Sequence, residues 1–463
     1  MIGPADDGRI EDLLADKSEK QARQRLQALI AEWLRMENLV ILTGAGCSVT
    51  TGGKTMAGLE KAVMATVVEI EGAPDSIGGI LAERAKDDAD ETKPPWARTN
   101  FEDWLTYLVS AAHLSSETAS PFSGVNWRLN CQVSLDDLKW LIEATAKSIF
   151  AECALILKDA PAGAASAADI SPHLAFLAKL VVRDSNLGRA HLFTLNYDTL
   201  FEQALELLGI QYFDGFTGRA ESHFDPSVYG LDIYYPGEVA EGRVRRFDKF
   251  VHLYKLHGSI HWKVEGGELR ARHPDLIPFA DFAKLDSKAK ATKLAELGVP
   301  CAGILPTANK FVQTLTMPYA HLFRSFRNRL SAPQTFLLVL GYGFGDDHVT
   351  RLIETALVNP SLVMLVVEPN PKSPVIERIQ RYKELGKRAF VLTATDAAFG
   401  AEAYQAASFD DFARSVMPDV QWLEDFLRLR RFEKQIQGAM PDEGPPADSA
   451  SAGGAVGGLP PIL

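Results

Sequence analysis

Six short apolar runs constrain the fold of this chain more than any other feature. They are Leu39-Val40-Ile41-Leu42, Ala190-His191-Leu192-Phe193, Val251-His252-Leu253-Tyr254-Lys255-Leu256, and the segments 335–341, 362–367 and 389–393. Each has the length of a strand, and a shorter one is read at 211–213. Between them, segments 173–182, 198–208, 322–330, 348–358 and 374–385 carry helical periodicity. Such alternation predicts an α/β fold, a Rossmann-like parallel sheet with helices on both faces. Ligands of open parallel sheets bind beyond the carboxyl ends of the strands. The residues that follow each run are therefore the candidates for chemistry.

Gly44-Ala45-Gly46-Cys47-Ser48 follows the first run. Glycines there allow a tight turn that brings backbone N–H groups towards a pyrophosphate, and Ser48 adds a hydroxyl donor. It is not a full dinucleotide fingerprint. Val49 occupies the third glycine position, and the acid about 20 residues on, Glu69, falls in a predicted helix. An ordinary dehydrogenase is disfavoured on both counts. Thr194-Leu195-Asn196-Tyr197-Asp198 closes the second run and sets Asn196 and Asp198 on the same side of an extended segment. That pair suits a ribose, although both residue types also cap helices and a helix follows. His257-Gly258-Ser259 closes the third run, where a histidine beside a glycine can exchange a proton with a ligand. His252 and His261 carry no motif and read as structural. Gly341-Tyr342-Gly343-Phe344-Gly345-Asp346 and Glu368-Pro369-Asn370 end two later strands. Asp346 and Asp347 read as helix caps, and Asn370 suits either a turn or a ribose contact.

The GAG-x-S loop, the T-x-N-x-D segment and the HG pair together resemble the sirtuin superfamily, as scattered motifs over residues 35–400. The nearer likeness is to its zinc-free bacterial branch from antiphage defence systems. Two departures point there. Thr51-Gly52-Gly53-Lys54-Thr55-Met56 stands where deacylating sirtuins carry G-I-P-x-F-R, and no four-cysteine zinc module follows the histidine. The resemblance implies an NAD+ glycohydrolase with NAD+ as substrate and no metal. Asn196 and His257 would be catalytic, and Gly44, Ala45, Gly46, Ser48, Asp198, Gly341 and Asn370 would bind NAD+. The alternatives are a protein deacylase, an ADP-ribosyltransferase or a non-catalytic NAD or ADP-ribose sensor. The same resemblance implies a homo-oligomer and a partner protein encoded nearby, such as a DNA-translocating ATPase or a short Argonaute.

Bulk properties narrow the setting. A net charge of −12 argues against direct nucleic-acid binding, and clusters such as Arg243-Val244-Arg245-Arg246 and Arg428-Leu429-Arg430-Arg431 read as solvated helix faces or partner contacts. The four cysteines, Cys47, Cys131, Cys153 and Cys301, are scattered without C-x-x-C. A reduced, cytoplasmic protein without a signal peptide is expected. No apolar run approaches the roughly 18 residues of a membrane span.

The expected organisation has four parts. Residues 1–37 form an N-terminal region whose helix covers 10–37, and residues 38–400 form the catalytic domain. A helical insert without strands interrupts that domain at about 56–158, broken by polar segments at 86–98 and 119–130. Irregular stretches are expected at 214–250 and 262–312, the second with a helix near 282–297. Terminal helices lie within 401–438, and a tail at 439–463, rich in Gly, Ala, Pro and Ser, reads as disordered.

Overall fold

A computed structural model describes residues 2–4, 10–12, 14, 19–87, 101–116, 125–127, 131–157, 171–184, 186–218, 221–240, 243–265, 268–273, 275–297, 318–384, 387–394 and 407–419. The tail at 439–463, most of the terminal helices within 401–438, most of segments 86–98 and 119–130, Cys301 and residues 428–431 lie outside the described residues.

One sheet organises the fold. Its strands are β1 (Ile2–Pro4), β2 (Ile10–Asp12), β3 (Asn38–Thr43), β4 (Ala190–Thr194), β5 (Gln211–Phe213), β6 (Phe250–Lys255), β7 (Thr335–Leu340), β8 (Val363–Val367) and β9 (Ala389–Leu392), in the order β2-β1-β9-β8-β7-β3-β4-β6-β5. The seven from β9 to β5 are parallel, and β1 and β2 extend the β9 edge antiparallel. Residues 10–12 therefore pair as a strand instead of opening a helix. The N-terminal helix α1 is Glu19–Trp33, because its apolar face only starts at Leu26.

The continuous apolar runs follow from burial on both faces. Leu39 and Ile41 of β3 join Phe336, Leu338 and Leu340 of β7 in one core, with α1, α6 (Pro172–Leu180) and α7 (Leu200–Leu207). Val40 and Leu42 join Leu337 and Val339 in the other, with α9 (Tyr319–Ser331), α10 (Asp347–Ala356) and α11 (Pro374–Glu384). Every second residue thus serves the opposite core.

Between β3 and β4 lie α2 (Met56–Val68), α3 (Asp75–Asp87), α4 (Phe101–Ser116) and α5 (Leu135–Cys153). They share a separate core that includes Val63, Phe101, Trp104 and Leu141. Ser134 caps α5 by accepting from the Asp137 N–H at 3.1 Å, and Asp136 and Asp137 complement the positive helix end. The expected absence of strands fails here, because Val125–Trp127 pairs with Cys131–Val133.

The stretches read as irregular also hold paired strands: Phe216–Thr217 with His223–Phe224, Tyr234–Ala240 with Arg243–Arg246, and Trp262–Glu265 with Glu268–Ala271. The basic cluster at 243–246 is accordingly a strand and not a helix face. Helix α8 spans Ser287–Leu297, starting later than expected because Phe282–Lys284 forms a 3-10 turn. Beyond β9, Phe409–Asp411 runs into a π turn, Phe412–Val416, and docks on the α1, α6 and α7 face. Lys179 of α6 receives that turn, donating to the carbonyls of Ala413, Arg414 and Met417 at 2.8, 2.8 and 3.0 Å.

Candidate functional site

The carboxyl ends of the central strands are flush. Leu340 pairs with Thr43, Thr43 with Thr194, and Thr194 with Lys255. Gly341, Gly44, Leu195 and Leu256 therefore all start at one level. Strand β3 continues to β4 on one side, and the chain returns as β7 on the other. That is the switch point where a crevice opens in an α/β sheet.

Two glycine loops meet there with backbone against backbone. A Cβ on Gly44 would lie 2.6 Å from the Gly341 carbonyl oxygen, and one on Gly46 would lie 2.7 Å from the Gly341 Cα. Gly341 itself takes φ +60° and has the Cys47 nitrogen 2.5 Å from where a Cβ would sit. Both loops need glycine for this approach. The loop differs from a phosphate cradle in one respect. The N–H groups of Gly44, Gly46, Cys47 and Ser48 donate to the carbonyls of Leu340, Gly341, Gly44 and Ala45 at 2.9–3.1 Å. Two 3-10 turns follow, and the first true helix, α2, waits until Met56. No helix N-terminus therefore stands directly behind the glycines to add its positive end. Cys47 is buried beside them, and burial pushes its thiol far above the ordinary range, so it is no nucleophile.

Ser48 connects the first motif to the second. Its hydroxyl donates to Asp198 Oδ2 at 2.7 Å and accepts from Asn196 Nδ2 at 2.9 Å, and all three side chains are buried. A serine hydroxyl has one proton and the carboxylate only accepts, so the direction of this chain is set. Asn196 must turn its NH2 to Ser48, which presents its Oδ1 away from the network. Asp198 also serves the following helix, accepting from the Leu200 N–H at 3.2 Å through Oδ1. One oxygen of Asp198 thus serves the start of the helix, as the capping reading expects, and the other holds Ser48.

Gly53 accounts for the Thr51-Gly52-Gly53-Lys54-Thr55-Met56 departure. Its N–H donates to the Ser48 carbonyl at 2.8 Å, and a Cβ would lie 2.6 Å from the Ser48 Cβ. Gly53→Ala is therefore expected to displace Ser48 and to lower stability by about 1–3 kcal/mol, as overpacking against a fixed backbone does. Thermal melts of both proteins check it, and an unchanged melting temperature would show that Ser48 is not clamped from this side.

Lys255 is the residue that sequence reasoning passed over. It lies in the buried strand β6, pairs with Glu202 at 3.1 Å and donates to the Asp198 carbonyl. A lysine inside the apolar run 251–256 was the available signal. Burial raises the Glu202 pKa, and the Lys255 ammonium pulls it back down. A second buried charge anchors the helical insert. Glu152, near the end of α5, binds Lys54 at 2.7 Å and Lys290 at 2.6 Å. Phe150, Ala151 and Ala154 pack with Tyr197, Ile260 and Phe282 in one cluster, so the insert leans directly on the Asn196–Asp198 segment.

His257 lies in a different group. Its ring sits 5.5 Å from that of His348 and 6.4 Å from that of Phe323, and it is buried. His348 belongs to α10, behind β7. With strands about 4.8 Å apart, β6 and β7 lie roughly 14 Å from each other across the sheet. Their following segments nevertheless meet, closing an arch over the ends of β3 and β4. Asp346 completes this group; one ligand-type atom from each of His257, Asp346 and His348 lies within 4.8 Å of the others. Asp346 is the N-cap residue of α10 by backbone position, but its side chain makes no cap bond, contrary to the capping expectation.

Asn370 follows β8 at the same edge. Its Oδ1 accepts from the Lys372 N–H at 3.0 Å, and its own N–H donates to Glu368 Oε1 at 3.0 Å, which makes a local turn. His252 and His261 sit away from the arch. His252 stacks on His191 at 4.9 Å between β6 and β4, and His261 packs on His273 at 4.4 Å.

Among the described residues, no helix is long and apolar enough to cross a membrane. A family model described as the SIR2-like domain matches residues 190–387, from β4 through α11. Asn196, Asp198, His257, Gly341 and Asn370 lie inside the match, and the Gly44–Ser48 loop lies before it. No curated protein matches the chain. Over residues 190–387 the chain is thus similar to the SIR2-like domain family, which supports the sirtuin-like family and fits NAD+ as a substrate.

Proposed function

We propose that this chain is an NAD+ glycohydrolase, cleaving NAD+ with water to nicotinamide and ADP-ribose. The observation that carries the reading is the buried chain Asn196 NH2 to Ser48 hydroxyl to Asp198 carboxylate at the switch point. It joins the glycine loop to the second motif and presents the Asn196 amide oxygen as an acceptor.

In the reaction the C1′–N bond breaks and its electron pair returns to the pyridinium nitrogen, which leaves neutral. C1′ passes through an oxocarbenium-like state and bonds to the water oxygen. The departing water proton goes to His257 and then to solvent. Asn196 Oδ1 holds the water or a ribose hydroxyl, and His257 acts as base. Such a leaving group demands little covalent help, so positioning and electrostatics supply most of the rate.

Free NAD+ hydrolysis would be harmful, so the proposal includes a switch. It extends to a role in antiphage defence, to a homo-oligomer and to a partner encoded nearby, of the DNA-translocating ATPase or short Argonaute type. The packing of the α5 end on Tyr197 supports the helical insert as the element such a partner would move.

Purified protein incubated with NAD+, alone and with the products of neighbouring genes, tests the reading by chromatography. Free nicotinamide and ADP-ribose in equal amounts are expected. O-acyl-ADP-ribose or ADP-ribosylated protein in their place would assign a deacylase or transferase, and tight NAD+ binding with no product would assign a sensor.

A further inference from the structure

We propose that His257, Asp346 and His348 form a binding site for a divalent transition-metal ion, with zinc as the best fit, and that the bound ion switches the site off. The second half rests on the proposed NAD+ cleavage with His257 as base; the first half does not.

Two imidazoles and a carboxylate are a donor set that zinc accepts, and three protein ligands leave a fourth position for water. Their ligand atoms lie within 4.8 Å of one another. Tetrahedral zinc with bonds of about 2.0–2.1 Å places its ligand atoms roughly 3.4 Å apart, so closing the group around an ion asks for a contraction of at most about 1.4 Å. Side-chain rotation can supply that, because Asp346 and His348 are only half-buried at the start of α10. Phe323 forms an apolar wall, its ring 5.2 Å from that of His348. The loop that delivers Asp346 is itself braced. The Tyr342 hydroxyl donates to the Asp346 carbonyl at 3.1 Å, and the Thr350 hydroxyl donates to the Phe344 carbonyl at 3.3 Å. Asp346 and His348 therefore sit on a supported backbone, with His257 approaching from the other half of the sheet.

An imidazole nitrogen bound to a metal cannot accept a proton from water. Occupation of this site would therefore withdraw His257 from proton transfer, and it would lock the arch between the β6 and β7 sides. No cysteine pattern is needed, which is why the spacing of the four cysteines says nothing about it.

The test uses the full chain after EDTA treatment and dialysis. Titration with Co2+ is expected to give visible d–d absorption that saturates at one ion per chain and is displaced by Zn2+. His348→Gln and Asp346→Asn, each verified as folded by thermal melting, are expected to lose that absorption or to weaken binding at least tenfold. Micromolar Zn2+ is expected to suppress nicotinamide release by the wild-type chain and to leave release by His348→Gln unchanged. Co2+ absorption that is the same in His348→Gln as in the wild type would overturn the site. Absorption as expected, but nicotinamide release indifferent to Zn2+, would overturn the switch. Should His348→Gln impair nicotinamide release in metal-free buffer and no variant alter Co2+ binding, His348 would be a positioning residue for His257 and the proposal would fall. If the chain releases no nicotinamide under any condition while Co2+ binds as expected, the NAD+-cleavage reading fails and the metal site stands.

Discussion

Asn196→Ala is expected to lower nicotinamide release from NAD+ by about 10²–10³-fold, the usual consequence of losing a positioned polar group at a centre of developing charge. The fold should survive. The side chain gives up one hydrogen bond to Ser48, worth about 1 kcal/mol, and fills no apolar core. Asn196→Asp is the sharper test. The Ser48 proton already goes to Asp198 at 2.7 Å, so an aspartate at 196 would face an oxygen with nothing left to donate. Two carboxylates would then share one hydroxyl, and one would take up a proton near neutral pH or break the network. Activity at or below that of the alanine variant, with a lower melting temperature, is expected. His257→Ala belongs beside them, with a loss of about 10²–10⁴-fold if it is the base. NAD+ binding should persist in that variant, because the glycine loops lie on other strands. Wild-type rates in Asn196→Ala would return that residue to a structural role.

Acid should destabilise the chain steeply between about pH 6.5 and pH 4. His173 and His252 are buried, and burial lowers both from the ordinary 6.5 to about 4. His191 is lowered well below its ordinary value by the same cause. The unfolded chain therefore binds protons in this window that the folded chain refuses. Stability rises with pH wherever the unfolded state binds more protons, so here it falls as the pH drops below 6.5, and the contribution of His173 and His252 to the loss is complete below about 4. A displacement of 2.5 pH units is worth roughly 3 kcal/mol per histidine at full extent. His173 packs edge-on against Phe201 and Phe409 at 4.9 and 5.1 Å, and no hydrogen-bond partner is found for either ring nitrogen among the described residues. His173→Leu is thus expected to retain stability at pH 7.5 and to flatten the acid limb by up to about 3 kcal/mol in urea melts at pH 7.5, 5.5 and 4.5. An acid limb identical to that of the wild type would show that His173 is already protonated in the fold or reaches solvent.

The alternation of apolar runs with helical segments sufficed to predict the parallel sheet, because both faces of each central strand are covered and both sets of residues must be apolar. The strand-end motifs were legible for a related reason, since glycine, asparagine and histidine stand out at the close of such runs. Prediction failed where pairing is short and polar. The antiparallel pairs at 125–133, 216–224, 234–246 and 262–271 are built mostly from strands of two to four residues, too short to impose a visible period of two. Residues 10–12 joined a sheet edge for which the local sequence holds no signal.

The sequence alone therefore determined the class of fold, the seven parallel strands and the residues placed at their carboxyl ends, since those depend on local pattern and burial. Only the tertiary structure decided how those residues combine. Ser48 meets Asn196 and Asp198 because β3 and β4 are neighbours ending at one level, although they lie about 150 positions apart in the chain. His257 meets Asp346 and His348 because two segments from opposite halves of the sheet arch over the same strand ends. Lys255 became a partner of Asp198 and Glu202 only once its strand was buried. Contacts of this kind depend on strand order and register, which pair residues across long loops and leave no trace in local spacing.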